Sequence, residues 1–145
     1  MDASTRQRVR QRASQRCEYC RMPQSAAPFF SFHVEHIRAT QHGRDDSPDN
    51  LALACPDCNR HKGPNLTSID PVTQQLVPLF NPRTDRWDAC FDLEGPLIVG
   101  LTPVGRATVR LLAMNDEVRV EMRAELQVTG IWSRDRAGRS QTTAC

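Results

Sequence analysis

Apolar positions in this chain fall in short blocks whose period changes from one block to the next. Residues 6–16 form an arginine-rich run of good helix formers without Gly or Pro, which predicts a basic helix. Phe29 to Ile37 (FFSFHVEHI) is aromatic and β-branched and follows a turn around Pro23 to Pro28, so a strand is expected there. Ala39 to Asn50 is polar and carries Gly43 and Ser47-Pro48, the marks of a loop. Leu51 to Ala54 reads as a second strand. Pro56 suits the first turn of a helix that Gly63-Pro64 stops.

Beyond residue 70 the signals weaken. Pro71 to Pro82 is broken by prolines around a short strand, Gln75-Leu76-Val77, and Trp87 to Val99 mixes aromatic, aliphatic and acidic residues. From Thr102 to about Gln127, apolar positions from Val104 through Val118, Val120, Met122 and Leu126 suit one or two helices packed on a core, with Asn115-Asp116 as a break. The tail from Ser133 to Cys145 is polar and is expected to be mobile. The expected organisation is a module at 1–70, an extension at 71–132 packing on it, and the tail at 133–145, in an α+β fold class.

Two CxxC pairs, Cys17/Cys20 and Cys55/Cys58, bracket the strand and loop segment. Two residues between cysteines let one tight turn aim both sulfurs at a single ion about 2.3 Å away, so four thiolates in two pairs suit tetrahedral zinc. Disulfides are the competing reading. No apolar run near the N-terminus resembles a signal peptide and no stretch is greasy enough to span a bilayer, so the expectation is a cytoplasmic protein with reduced cysteines and no membrane partner. Cys90 and Cys145 lack such neighbours, are expected to bind nothing, and are left out of any site.

A hydrophobic fraction of 39% in 145 residues is compatible with a modest core, for which a zinc staple is useful. The net charge of +2 argues little, but its distribution does more. Residues 1–62 carry 10 basic and 7 acidic side chains, a balance of +3, and hold all four CxxC cysteines. Of the 19 basic residues 18 are arginine, a permissive hint of phosphate contacts. Arg6, Arg10, Arg38, Arg44 and Lys62 are the candidates for contact with a nucleic-acid backbone.

The segments VEHIRATQHG, DNLALACPDCN and the trailing RHK resemble the HNH endonuclease family. His36 precedes Asn50 by 14 positions and Asn59 by 23, both usual separations in that family, and the cysteines fall where many members carry them. The resemblance is close over residues 14–65. A weaker likeness to small stand-alone bacterial HNH proteins continues through NPRTDRW and GLTPVGRATVRLLAMN.

The resemblance implies a small ββα-metal (His-Me finger) module, stapled by the four-cysteine zinc site, with an N-terminal basic helix and a C-terminal strand and helical extension. It implies a metal-dependent endonuclease hydrolysing DNA phosphodiester bonds, with RNA also open. His36 would be the general base, because a histidine titrates near cytoplasmic pH. Glu35 and Asn59 would offer hard oxygen ligands to a catalytic Mg²⁺ or Mn²⁺, with His61 the alternative to Asn59. Asn50 would bond across the loop to backbone near the histidine. Glu35 and His36 are adjacent on a strand, so both reach one site only if the strand ends or bulges there. The competing functions are a zinc-stabilised nucleic-acid binding module without cleavage and a protein-interaction domain that keeps zinc for folding alone.

Overall fold

The structure, a computed structural model, describes residues 1–132 and 144–145, and the expected mobility of 133–143 lies outside them. The chain divides into two compact units, Met1–Leu66 and Thr67–Cys145. Among the described residues no helix is long and apolar enough to cross a membrane.

The first unit begins with α1 (Ala3–Arg12), capped by the Asp2 carboxylate, which accepts from the Thr5 N–H at 2.8 Å. Val9 buries this helix, and two arginines tie it down: Arg10 donates to the Phe32 carbonyl at 2.8 Å and Arg12 to the Leu51 carbonyl at 2.8 Å. The first CxxC turn follows, closed by Arg21 N–H to Cys17 O and Cys17 N–H to Met22 O, both 2.9 Å. Glu18 fastens the turn to the next sheet, because its N–H donates to Leu53 O and its carboxylate accepts from Leu53 N–H, each at 2.8 Å.

That sheet is an antiparallel ribbon of β1 (His33–His36) and β2 (Leu51–Ala54), with His33 opposite Ala54 and His36 opposite Leu51. β2 is apolar at every position and wholly buried, so it forms the spine of the unit. α2 (Pro56–Lys62) starts at once, with Cys55 as N-cap, Pro56 at its first position and Gly63 at φ +50° ending it. The order strand, loop, strand, helix is the ββα arrangement expected from the sequence.

β1 is shorter than the expected strand over Phe29–Ile37. The side chain of Gln24 donates to Phe30 O at 2.6 Å and accepts from Phe32 N–H at 2.8 Å, so these backbone groups are engaged before any partner strand reaches them. β2 stops at Ala54, and pairing stops with it.

The second unit contains two hairpins, β3 (Thr67–Ile69) with β4 (Leu76–Pro78) and β5 (Phe91–Glu94) with β6 (Leu97–Gly100), the helical turn α3 (Trp87–Cys90), and helices α4 (Pro103–Leu111) and α5 (Glu117–Val128). Its core gathers Phe80, Trp87, Phe91, Ile98, Ala107, Leu112 and Met114. Gly105 lets α4 approach closely, since a Cβ there would stand 2.1 Å from the Cys90 carbonyl. Two helices broken at Asn115-Asp116 match the expectation, but α5 packs the other way round. Val118 and Met122 are 70% and 41% exposed, whereas Arg119 and Arg123 are buried. The reason is capping: Arg119 donates to the carbonyls of Leu112 and Ala113, and Arg123 to that of Met114, acceptors that follow the end of α4.

Cys90 and Cys145 are joined in a disulfide, which corrects the expectation that both stand alone. The Ala144 carbonyl also accepts from Arg86 N–H at 2.8 Å, so the last two residues are held. Disulfides persist in oxidising surroundings, and this bond runs against a uniformly reducing setting.

Candidate functional site

Cys17, Cys20, Cys55 and Cys58 are all buried, and their sulfurs lie within 4.8 Å of one another. The Cys20 and Cys55 sulfurs are 3.7 Å apart. Four sulfurs about 2.3 Å from one ion stand roughly 3.8 Å from each other in a tetrahedron, so the donor set and its spacing fit a structural zinc ion. Burial pushes the thiols of Cys17 and Cys58 well above their usual range, and a cation among the sulfurs reverses that preference. The first CxxC turn is clamped to β2 and the second opens α2, so one ion at the cluster would fix the ribbon against the helix.

At the open end of β1 lies a cleft of about 360 Å³ lined by His33, Glu35, His36 and Asn59, with Thr40 and Gly63 beside them. Glu35 and His36 both line it, as do His33 and Val34, and β1 ends at His36. Asn59, in the middle of α2, faces the cleft, and His61 does not line it. His33, on the same strand face as Glu35, is exposed at the rim.

Asn50 spans the loop from β1 to β2. Its Oδ1 accepts from Arg38 N–H at 2.8 Å and its amide donates to Arg38 O at 3.1 Å and Asp45 O at 2.9 Å. The loop so braced carries Asp46, whose Oδ1 lies 2.7 Å from His36 Nε2. That contact, first, and the Arg44 guanidinium hold the Asp46 carboxyl down at about 2, so it is an ionised acceptor. Nε2 of His36 therefore donates the shared proton, and Nδ1 is the ring nitrogen that this contact leaves for other partners.

Glu35 is buried beneath the cleft in a cluster the sequence did not disclose. Its Oε1 accepts from the hydroxyl of Tyr19, and its Oε2 pairs with the Lys62 ammonium at 3.1 Å. Burial pushes the Glu35 carboxyl above its usual value against the opposing pull of Lys62. Lys62 is 2% exposed and also donates to the carbonyls of His36 and Ile37 at 3.3 and 2.9 Å. The expectation that Lys62 touches a nucleic-acid backbone is corrected: it is an internal brace between α2 and the end of β1.

Arg10 is likewise committed, to the Phe32 carbonyl, whereas Arg6 is exposed on α1. Arg38 lies 3.6 Å from Asp45 and Arg44 3.2 Å from Asp46, both at the surface beside the cleft. Tyr19 and Asp46 were missed. Asp46 has a faint signal, an acid ten residues after the histidine in a polar loop; Tyr19, inside the first CxxC, looks like ordinary core.

No curated protein and no solved structure matches the chain. Residues 17–65 match the family model described as HNH endonuclease, and the segment matched runs from the first zinc-cluster cysteine through the ribbon and α2. The ribbon, the helix and the cysteine cluster all fall within the segment that is similar to an HNH endonuclease domain.

Proposed function

We propose that this protein is a metal-dependent endonuclease that hydrolyses DNA phosphodiester bonds at the β1–α2 cleft. The observation that supports it most is the convergence of His33, Glu35, His36 and Asn59 on one opening, with the imidazole of His36 already oriented by Asp46. Neither folding nor simple binding calls for that combination.

In this reading His36 Nδ1 takes the proton from a water lined up on the phosphorus, while Asp46 fixes the ring and stabilises the imidazolium that forms. A divalent Mg²⁺ or Mn²⁺ supplies Lewis acidity for the phosphoryl oxygens and the departing 3′ oxygen. Asn59 and Glu35 would hold it through oxygen atoms. The Glu35 carboxylate has about four lone-pair sites, and Tyr19 and Lys62 use two of them, so it can serve an ion without leaving its buried partners. Exposed Arg6, Arg38 and Arg44 would meet backbone phosphates.

A nucleic-acid binding module without cleavage is the second reading, favoured by one observation: both Glu35 oxygens already have protein donors. Plasmid nicking with added Mg²⁺ or Mn²⁺, comparing the wild type with His36→Ala, separates the two. Cleavage by the wild type and loss of roughly 10²-fold or more in the variant is expected of the nuclease. No cleavage with either ion, together with retained DNA binding, would establish the second reading.

A further inference from the structure

Two adjacent aromatic side chains stand in solvent just before β1: Phe29 is 93% exposed and Phe30 65%. Single exposed apolar residues are ordinary, but a neighbouring pair of phenylalanines held outward is a contact surface in want of a partner. Their loop is firmly built. Gln24 bonds to Ala27 O and Phe30 O on one side and to Phe32 N–H on the other, while Phe32 itself is buried and its carbonyl is held by Arg10. The two rings are therefore presented from a fixed turn between two anchors.

Position and charge indicate what they meet. Phe30 precedes His33 by three residues, and His33 lines the cleft. Three residues span at most about 11 Å, and bases along one strand step about 3.4 Å. A phosphate seated in the cleft thus places a base within about three nucleotides of the rings. The helix carrying exposed Arg6 and Arg8 is tied to the same segment through Arg10. An aromatic platform beside cations and a phosphate-sized opening is the composition of sites that stack bases along a nucleic-acid strand.

We infer that Phe29 and Phe30 stack on a nucleobase within about three nucleotides of the phosphate bound in the cleft, and so favour DNA with an unpaired base there over an intact duplex. The inference rests on the nucleic-acid reading given above. An intact duplex has to surrender a stacked base to reach the rings, whereas a gapped strand offers one already open.

Fluorescence anisotropy with a gapped duplex and an intact duplex of the same sequence tests this, in buffer without added Mg²⁺ or Mn²⁺ so that cleavage plays no part. The wild type should prefer the gapped probe by about tenfold, the Phe29→Ser/Phe30→Ser variant should lose that preference, and Arg6→Ala/Arg8→Ala should weaken both probes alike. Both phenylalanines are exposed, so the variant should keep its circular dichroism spectrum. Unchanged gapped-probe affinity in the double variant would overturn the inference, as would a change in oligomeric state with DNA binding untouched, which would make the pair a self-association contact. Plasmid nicking measured alongside keeps the two ideas apart. A wild type that prefers gapped DNA yet never nicks retains the stacking site and loses the nuclease; one that nicks, with no effect of the double substitution on binding, does the reverse.

Discussion

The ammonium of Lys62 sits 3.1 Å from Oε2 of Glu35, sealed at 2% exposure, and joins the last turn of α2 to the end of β1. A buried charge left without its partner is costly, so removing either member should be felt throughout the first unit. Lys62→Met is expected to lower stability by about 3 kcal/mol, because it strands the Glu35 carboxylate and two backbone carbonyls. Urea denaturation followed by fluorescence measures it. Unchanged stability combined with weaker DNA binding would return Lys62 to the role of a phosphate contact.

Asp46 is a positioning residue in the proposed mechanism, acting on substrate only through His36. Asp46→Ala should lower kcat by about 10–100-fold with little change in KM, since ring orientation is lost and the phosphate contacts remain. Its carboxyl is held at about 2, chiefly by His36, so it stays ionised through the neutral range and its own protonation cannot shape activity there. The loss should therefore appear in kcat through ring orientation, with KM unmoved. An identical kcat in Asp46→Ala would dismiss the contact as incidental.

How much of this could be read beforehand depended on whether local chemistry or tertiary partners made the decision. The CxxC pairs, the β2 block Leu51–Ala54, the Pro56 start and the Gly63 stop are local signals, and the structure follows them. The bonds of Asn50 across its loop were implied by the family resemblance and by no local signal, and the side chain meets Arg38 N–H and Asp45 O. The extent of β1 was not local, because Gln24 takes the hydrogen bonds that Phe30 and Phe32 would have offered a strand. Nor was the direction of charged side chains: Lys62, Arg119 and Arg123 all turn inward toward backbone carbonyls just beyond the ends of β1 and α4. Periodicity counts Val118 and Met122 as core, yet the carbonyls after α4 claim that face of α5 for guanidinium groups.

The cysteine cluster should carry the first unit's fold as well as its metal. Binding of zinc to comparable sites contributes about 10–16 kcal/mol, as much as the roughly 5–15 kcal/mol that holds a typical domain together. Cys55→Ser, which also alters the N-cap of α2, should therefore unfold Met1–Leu66 outright. The expected readout is loss of stoichiometric zinc by elemental analysis together with part of the helical circular dichroism. Full zinc content in the variant would remove Cys55 from the ligand set.

In the second unit, Asp70 is wholly buried and takes two hydrogen bonds of 2.9 Å from Arg106. That guanidinium, before the smaller contributions of Thr73 and the backbone of Val72, holds the Asp70 carboxyl far below its ordinary 3.8. A depressed carboxylate adds stability that is complete above the unfolded value of 3.8 and disappears as pH falls toward the folded one. Arg106→Gln should erase most of that contribution, so wild type and variant should differ most near neutrality and converge on acidification below about pH 4. Urea midpoints collected from neutral to strongly acidic pH provide the comparison. A gap that stays constant across the whole series would mean that Arg106 stabilises the unit through packing of its methylene stem, with the ion pair contributing nothing measurable.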